Sequence, residues 1–443
     1  MKKVLIISYH FPPDTSVASL RSQGWYNDFQ KLGIHPVILT RQWSNDKTAE
    51  IEYVSKSKNE ETIIKEYENS TLILSPYFPN FSNRLLLKYG IKRYKLIRKI
   101  FTAFFEIFQY FLSIGSKKEI YTSAKSYLSK NKVDLIIATG DPFVLFHYAN
   151  KLSKKYSIPW IADYRDLWSQ DFSMSTKVIY KTFLATIEKR IVKTASCNTT
   201  VSPLLKEKLK KIHPSVKCAI IRNGFNKQAI EKVNTLPQNT DLILKIGFVG
   251  SLSPWNPVKL FIQRMNAISS EYKIIELNFY GINTQYEIEQ FINTLTLSPF
   301  IKINFYPRMK NDLVLEKLAK SNVLLLFNHY SLVGTKIYDY IALNRRILFC
   351  YTDDFESDKL RKRFYHFDYK SDFCPQADIL KATQSGDIVK DDKQLIQVID
   401  SYFEELKSKK SISCNSSETA QYSRFEQNKK LVQLINTIFK NEN

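Results

Sequence analysis

Short apolar runs alternate with helix-patterned stretches from one end of this chain to the other, and that alternation limits its fold more than any other feature. Strands read near Val4–Ser8, Pro36–Thr40, Leu72–Leu74, Leu135–Ala138, Trp160–Asp163, Asn198–Val201 and Ala219–Arg222. Helices read over Ser16–Leu32, Leu145–Tyr156 and Thr176–Lys193. A polar connector near Asn234–Asp241 follows, and the alternation restarts with Leu244–Val249, Leu277–Tyr280, Ile301–Phe305, Val323–Phe327 and Ile347–Tyr351. This is the pattern of parallel sheets covered by helices on both faces. At 443 residues the chain exceeds what one hydrophobic core usually serves. The expected fold class is therefore α/β, with two tandem Rossmann-like domains over residues 1–233 and 240–420. The closing segment, residues 421–443, carries a helical stripe over Leu431–Phe439 that is expected to pack back on the first domain.

Charge is unevenly spread. The chain holds 65 Lys and Arg against 43 Asp and Glu, a net charge of +22. Residues 1–250 hold 39 of the basic and 20 of the acidic residues, and the remainder hold 26 and 23. A basic half-molecule suits nucleic acid, an anionic membrane surface or a phosphorylated substrate. No zinc-finger spacing and no RRM aromatic run accompanies it, which argues against nucleic acid. Five scattered cysteines with no Cys-x-x-Cys pair fit a reducing compartment and no zinc site. The apolar run after Lys2-Lys3 is short and meets Tyr9-His10-Phe11-Pro12-Pro13 at once, so a first strand is expected there in place of a signal peptide.

One segment, residues 92–115, departs from the rhythm. Lys92, Arg93, Lys95, Arg98 and Lys99 lead into a Phe-rich run ending at Ile114. That run is too short to span a bilayer, which needs about 20 residues. On a helix, Ile97, Phe101, Phe104, Phe108 and Phe111 share one face, so the segment reads either as a helix lying in a membrane interface or as a core helix with a basic lead-in.

The stretch from Gly334 to Leu348 carries the chemistry. Val323–Phe327 has the length and apolarity of a buried strand, so Gly334 and Thr335 should lie at a loop-to-helix junction beyond its carboxyl end, where open α/β sheets bind ligands. Backbone N–H groups at a helix start and the charge of Lys336 suit a diphosphate, and Asp339, one turn further in, suits ribose hydroxyls. An ordinary capped helix with a surface Lys and Asp has the same local sequence. At the other carboxyl ends, His10 follows the first strand, and Asp163, Arg165 and Asp166 follow the strand ending at Ala162. Such clusters of titratable groups mark functional loops, although a structural Arg–Asp pair is as common. Ser202-Pro203 reads as a capped helix start and Asn223-Gly224 as a turn.

In this order the segments Ser8–Pro13, Thr139–Phe143, Ile158–Trp168, Thr200–Leu205, Ile221–Asn226, Gly247–Ser251, Gly334–Leu348 and Ser423–Phe425 resemble the GT-B glycosyltransferases. The likeness is specifically to the family 4 retaining enzymes of bacterial surface-polysaccharide assembly, and it covers nearly the whole chain. It implies a nucleotide-sugar donor in the carboxyl-terminal domain and an acceptor in the amino-terminal one. Reaction would occur in the interdomain cleft with no metal and no cofactor, and the absence of any Asp-x-Asp agrees. Asp339 resembles the second acid of the family's Glu-x7-Glu signature, which holds the donor ribose, while Ser331 stands where the first acid would be. The family grips the diphosphate after the first strand of the donor domain; here that position is Gly250-Ser251, with Lys336 the candidate cation. Tyr306, Pro307 and Arg308 sit where the family cradles the base.

The expected activity is metal-independent, retaining transfer of a hexose-type sugar from a nucleotide donor to a saccharide, lipid-linked and part of a surface polysaccharide or glycan. The donor would meet Gly250, Ser251, Tyr306, Arg308, Ser331, Gly334, Thr335, Lys336 and Asp339, and acceptor positioning or proton handling would fall to His10, Asp163, Arg165 and Asp166. The expected location is cytoplasmic, peripheral on the anionic inner face of the plasma membrane. A nucleotide-sugar epimerase of the same fold and a non-catalytic sugar-nucleotide or glycan-binding protein are the alternatives.

Overall fold

The computed structural model describes every residue except 15, 44–51, 113, 171–177, 330–332, 366–373 and 443. It divides into two units: Met1–Asp171 with Thr176–Ile221 and Asn428–Asn443, and Arg222–Gln427. Both are sheets sandwiched by helices.

The first unit's eight strands are β1 (Lys2–Ile7), β2 (Ile34–Arg41), β3 (Ile63–Tyr67), β4 (Ser70–Ser75), β5 (Leu135–Gly140), β6 (Trp160–Tyr164), β7 (Cys197–Thr200) and β8 (Cys218–Ile220). They lie in the order β3-β4-β2-β1-β5-β6-β7-β8. All neighbours are parallel except β3 and β4. The interior strands are continuous apolar runs because helices cover both faces; Val4, Leu5, Ile6 and Ile7 are all fully buried. β3 escapes a sequence reading because it is a solvent-facing edge with four of its five residues exposed, so no apolar run marks it. Leu431, Val432, Ile435 and Ile438 of the terminal helix Arg424–Glu442 join the core of Val4, Trp25, Phe29 and Leu135. Each such side chain contributes about 2 kcal/mol by burial.

The second unit's strands are β9 (Ile243–Val249), β10 (Ile274–Tyr280), β11 (Ile301–Tyr306), β12 (Val323–Phe327), β13 (Arg346–Cys350) and β14 (Gly386–Ile388), ordered β11-β10-β9-β12-β13-β14 and parallel throughout. β14, three residues long, is too short to stand out in sequence. One core lies on each face of this sheet, Phe248, Phe261 and Phe327 on one side and Leu318, Leu326 and Ile341 on the other.

The Phe-rich segment forms the helix Lys95–Phe108, shorter than the run to Ile114, and beyond it the amides of Phe111 and Leu112 share the Phe108 carbonyl in a closing turn. It has no buried residue. Its partner is the helix Phe81–Tyr89, met through a Ser82–Thr102 hydrogen bond of 2.8 Å and an edge contact of Phe81 with Phe101. Among the described residues no helix is long and apolar enough to cross a membrane.

Candidate functional site

In each sheet the chain leaves in both directions from one point, between β1 and β5 in the first and between β9 and β12 in the second. At such a switch point the loops beyond the carboxyl ends diverge and leave a crevice for a ligand. Some of the residues singled out by sequence lie at these two places: His10 past β1 in the first unit, and Gly250, Ser251 and Lys336 past β9 and β12 in the second.

In the second unit β9 runs into Gly250, whose φ of +84° is a left-handed conformation that suits glycine. A Cβ there would lie 3.9 Å from both Cε and Nζ of Lys336. The Lys336 ammonium donates to the Ser251 carbonyl at 3.3 Å and sits 4.1 Å from the centroid of the Phe248 ring. Gly250, Ser251 and Lys336 are thus brought together across the switch point. Neither neighbour of the ammonium carries a negative charge, and burial pulls the Lys336 pKa down to about 7. An anion placed there would restore the charged form.

Lys336 opens a helix of seven residues, Lys336–Ala342, flanked by Thr335 with no side-chain cap. So short a helix shifts the electrostatic weight from backbone dipoles, the feature expected at Gly334 and Thr335, to the lysine itself. A Cβ on Gly334 would meet nothing within 4 Å. Ile337, Tyr338, Tyr340 and Ile341 bury the helix, and the Val249 amide donates to Tyr340 Oη at 3.1 Å, tying it to β9. Asp339 is partly buried; burial lifts its pKa to about 6 against the opposing pull of Arg424. Ser331 lies outside the described residues.

His329, which no motif flagged, stands just past β12 beside Lys336. Burial, and then the Lys336 charge, push its pKa to about 4, so it is neutral near pH 7. Its backbone amide is pinned by Gln376 Oε1 at 2.7 Å. The one signal available was a histidine two positions beyond a carboxyl end.

Two strands away, Tyr306 ends β11 and Arg308 lies just beyond it. The Tyr306 carbonyl accepts from the Gly281 amide at 2.9 Å, and Gly281, at φ +62°, would place a Cβ 3.2 Å from Arg308 Cα. The Tyr306 ring stacks on Tyr280 with centroids 4.9 Å apart.

In the first unit His10 follows β1. Its Nδ1 meets Asp14 Oδ2 at 2.7 Å, and Ser16 Oγ donates to the same oxygen at 2.6 Å. Burial raises the Asp14 pKa, but these hydrogen bonds outweigh it and hold the carboxyl well below its usual range. An ionised Asp14 selects the Nδ1–H tautomer, which makes Nε2 the basic nitrogen of His10. The ring stacks on Trp43 at 5.8 Å, and Trp43 in turn packs on the buried Arg41 guanidinium at 4.4 Å. Arg165 donates to the carbonyls of Gly140 at 3.0 Å and Asp141 at 3.2 Å, bracing the loop after β5. Asp166 is exposed.

Asp163 has a different part from the one its loop position suggests. It is fully buried, gripped by Arg21 through Nε at 3.0 Å and Nη2 at 2.7 Å and by Thr199 Oγ1 at 2.7 Å. With its oxygens so occupied it is a buried structural group that ties β6 to Thr199 of β7 and to Arg21 of the helix Ser19–Lys31, and it is not aimed at a substrate.

No family model matches the chain, and no curated protein matches it. Solved structures do. Sucrose-phosphate synthase from Thermosynechococcus elongatus superposes with a TM-score of 0.64 at 14% identity, over 100% of both chains. The catalytic domain of starch synthase IV from Arabidopsis thaliana, bound to ADP and acarbose, gives 0.54 at 11%, over 100% of this chain and 99% of that one. Anabaena HepE in complex with UDP and glucose gives 0.51 at 13%, over 99% and 100%. At these identities the likeness establishes the fold, and that fold is GT-B.

Proposed function

We propose that this chain is a glycosyltransferase that takes a sugar from a nucleotide-sugar donor and attaches it to a saccharide acceptor. The observation that carries the reading is the Lys336 ammonium held over the Gly250–Ser251 turn at the switch point of the second sheet. It is a half-buried cation with no anionic neighbour among the groups it touches, in the place where this fold receives ligands. The neighbours support it, since starch synthase IV was solved with ADP and HepE with UDP and glucose.

Transfer breaks the bond between the anomeric carbon and the diphosphate oxygen, which keeps the electron pair, and forms a bond from the acceptor oxygen to that carbon as the acceptor hydroxyl loses its proton. The developing phosphate charge needs a positioned donor in a water-poor site. Lys336 supplies it, and the Gly250 and Ser251 backbone lines the same turn. Asp339, ionised above about pH 6, accepts from ribose hydroxyls. His10, basic at Nε2, orients the acceptor or takes its proton. We place the transfer in the retaining, metal-free class of family 4, so that excess EDTA leaves turnover unchanged.

The acceptor in this reading is lipid-linked and met at an anionic inner leaflet. Supporting it is the helix Lys95–Phe108, whose Leu96, Ile97, Ile100, Phe104 and Phe108 are exposed beside Arg93, Lys95 and Lys99. Exposed aromatic and aliphatic side chains next to a basic cluster match an interfacial helix.

Thermal-shift titration with UDP, GDP, ADP, TDP and CMP tests the donor site. A ligand at 100 times its Kd adds about 2.7 kcal/mol of stability. One nucleoside diphosphate should stabilise the wild type and lose its effect in Lys336→Ala; no response to any of the five overturns the assignment.

A further inference from the structure

We infer that the second unit carries a groove for an uncharged oligosaccharide near the edge of its sheet, beside the helix Asn311–Ala319 and distinct from the Gly250–Lys336 turn. β10 and β11 hold nearly the same hexapeptide, Ile275-Glu276-Leu277-Asn278-Phe279-Tyr280 and Ile301-Lys302-Ile303-Asn304-Phe305-Tyr306, and they pair in register position by position. Ile275, Leu277 and Phe279, with Ile301, Ile303 and Phe305, enter the core of one face. The alternate residues therefore form matched rows on the other face: Glu276 beside Lys302, Asn278 beside Asn304, Tyr280 beside Tyr306. Asn278 and Tyr280 are buried on that face, while Glu276, Asn304 and Tyr306 stay partly accessible and Lys302 is exposed, so the rows reach solvent along β11.

The rows are tied together. Asn304 Nδ2 donates to Asn278 Oδ1 at 2.9 Å, Asn278 Nδ2 donates to Glu276 Oε1 at 2.9 Å, and the two tyrosine rings stack at 4.9 Å. The helix Asn311–Ala319 covers the sheet at β9, where a Cβ on Gly247 would meet Leu318 and Ser321, and β11 is the edge strand. Between them lies a cavity of about 450 Å³ whose lining includes Lys245, Glu276, Asn278, Tyr306, Lys317 and Lys320. Its volume falls in the range of ligand sites.

A carboxylate and amide oxygens in a row, beside an aromatic ring, complement a sugar's paired hydroxyls and apolar C–H face. Lys245 is paired with Asp241 at 3.8 Å and Lys320 with Glu316 at 2.7 Å, so the rim is largely charge-compensated and an uncharged saccharide fits better than an anion. The groove's argument rests on Glu276, Asn278 and Asn304 and shares only Tyr306 with the donor-site reading.

Saturation-transfer NMR with maltohexaose, cellohexaose, chitohexaose and a heparin-derived hexasaccharide tests it on the full chain. At least one uncharged hexasaccharide should bind the wild type and Lys336→Ala alike, persist under saturating nucleoside diphosphate, and weaken by tenfold or more in Glu276→Ala and Asn304→Ala, with unchanged circular dichroism confirming that these variants fold. No binding by any uncharged probe, binding indifferent to both variants, or binding by the heparin fragment alone overturns the inference. Loss of diphosphate binding in Lys336→Ala with hexasaccharide binding intact separates this groove from the donor site.

Discussion

Lys336 and Asp339 make donor binding a function of pH. A diphosphate prefers a charged Lys336, whose pKa in the free protein is about 7. Below that value the ammonium is already present; above it, binding must draw in a proton, and affinity falls by up to about tenfold per pH unit. Asp339 loses its charge below about pH 6 and with it part of its capacity to accept. Nucleoside diphosphate affinity should therefore peak between about pH 6 and 7. Calorimetry at pH 8 in buffers of different ionisation enthalpy should show proton uptake that Lys336→Ala abolishes. Asp339 has a raised folded pKa, so its ionised form costs stability above about pH 6 and nothing below its ordinary value of 3.8. Asp339→Asn should stabilise by on the order of 1–2 kcal/mol at pH 8 and leave stability unchanged at pH 3.5, measured by urea unfolding. Arg21→Met should destabilise by about 3–5 kcal/mol because it strands the buried Asp163 charge, and Arg21→Met with Asp163→Leu should recover most of that loss. Asp163 was legible as a carboxylate at the carboxyl end of a strand, but its burial was not: Arg21 lies far away in sequence and reaches it only through the fold.

At the scale of elements, the helix Lys95–Phe108 shows how much periodicity conveys. Its apolar stripe and basic start were readable, yet the same pattern describes a core helix; the lack of buried residues along it argues against the core reading alone. Burying a Phe contributes about 1.5–3 kcal/mol, and each Lys or Arg near an anionic surface about 1 kcal/mol. Cosedimentation with phosphatidylglycerol vesicles should exceed that with phosphatidylcholine vesicles and should drop by an order of magnitude or more in Phe104→Glu with Phe108→Glu. Equal binding to both vesicle types, or none, counts against the leaflet. Strands followed the opposite logic. Long apolar runs such as Val323–Phe327 were plain because burial on both faces removes polar alternation, whereas β3 and β14 were hidden by exposure and brevity.

For the molecule as a whole, the concentration of positive charge in residues 1–250 bears on association. Surface attraction is screened within about 8 Å at physiological ionic strength, so vesicle binding should weaken as salt rises from 50 to 500 mM. Diphosphate binding, which depends on a partly buried lysine, should fall far less over the same range, as fluorescence titration of both would show. A common, steep salt dependence would mean that the nucleotide response is general surface attraction.

What the amino-acid order alone determined is the part governed by short-range periodicity and by residue type at strand ends: two α/β units, strands placed by apolar runs, and the candidate turns after β1, β9 and β12. Which of those turns meet was decided by topology, because strand order is set by long-range pairing that no local pattern encodes. The same holds for the chemistry. Lys336 and His329 have unusual proton affinities because packing removes water from them, and Asp163 is withdrawn from solvent because Arg21 and Thr199 close over it; charge type is written in the residue, but its environment exists only once distant segments are packed together.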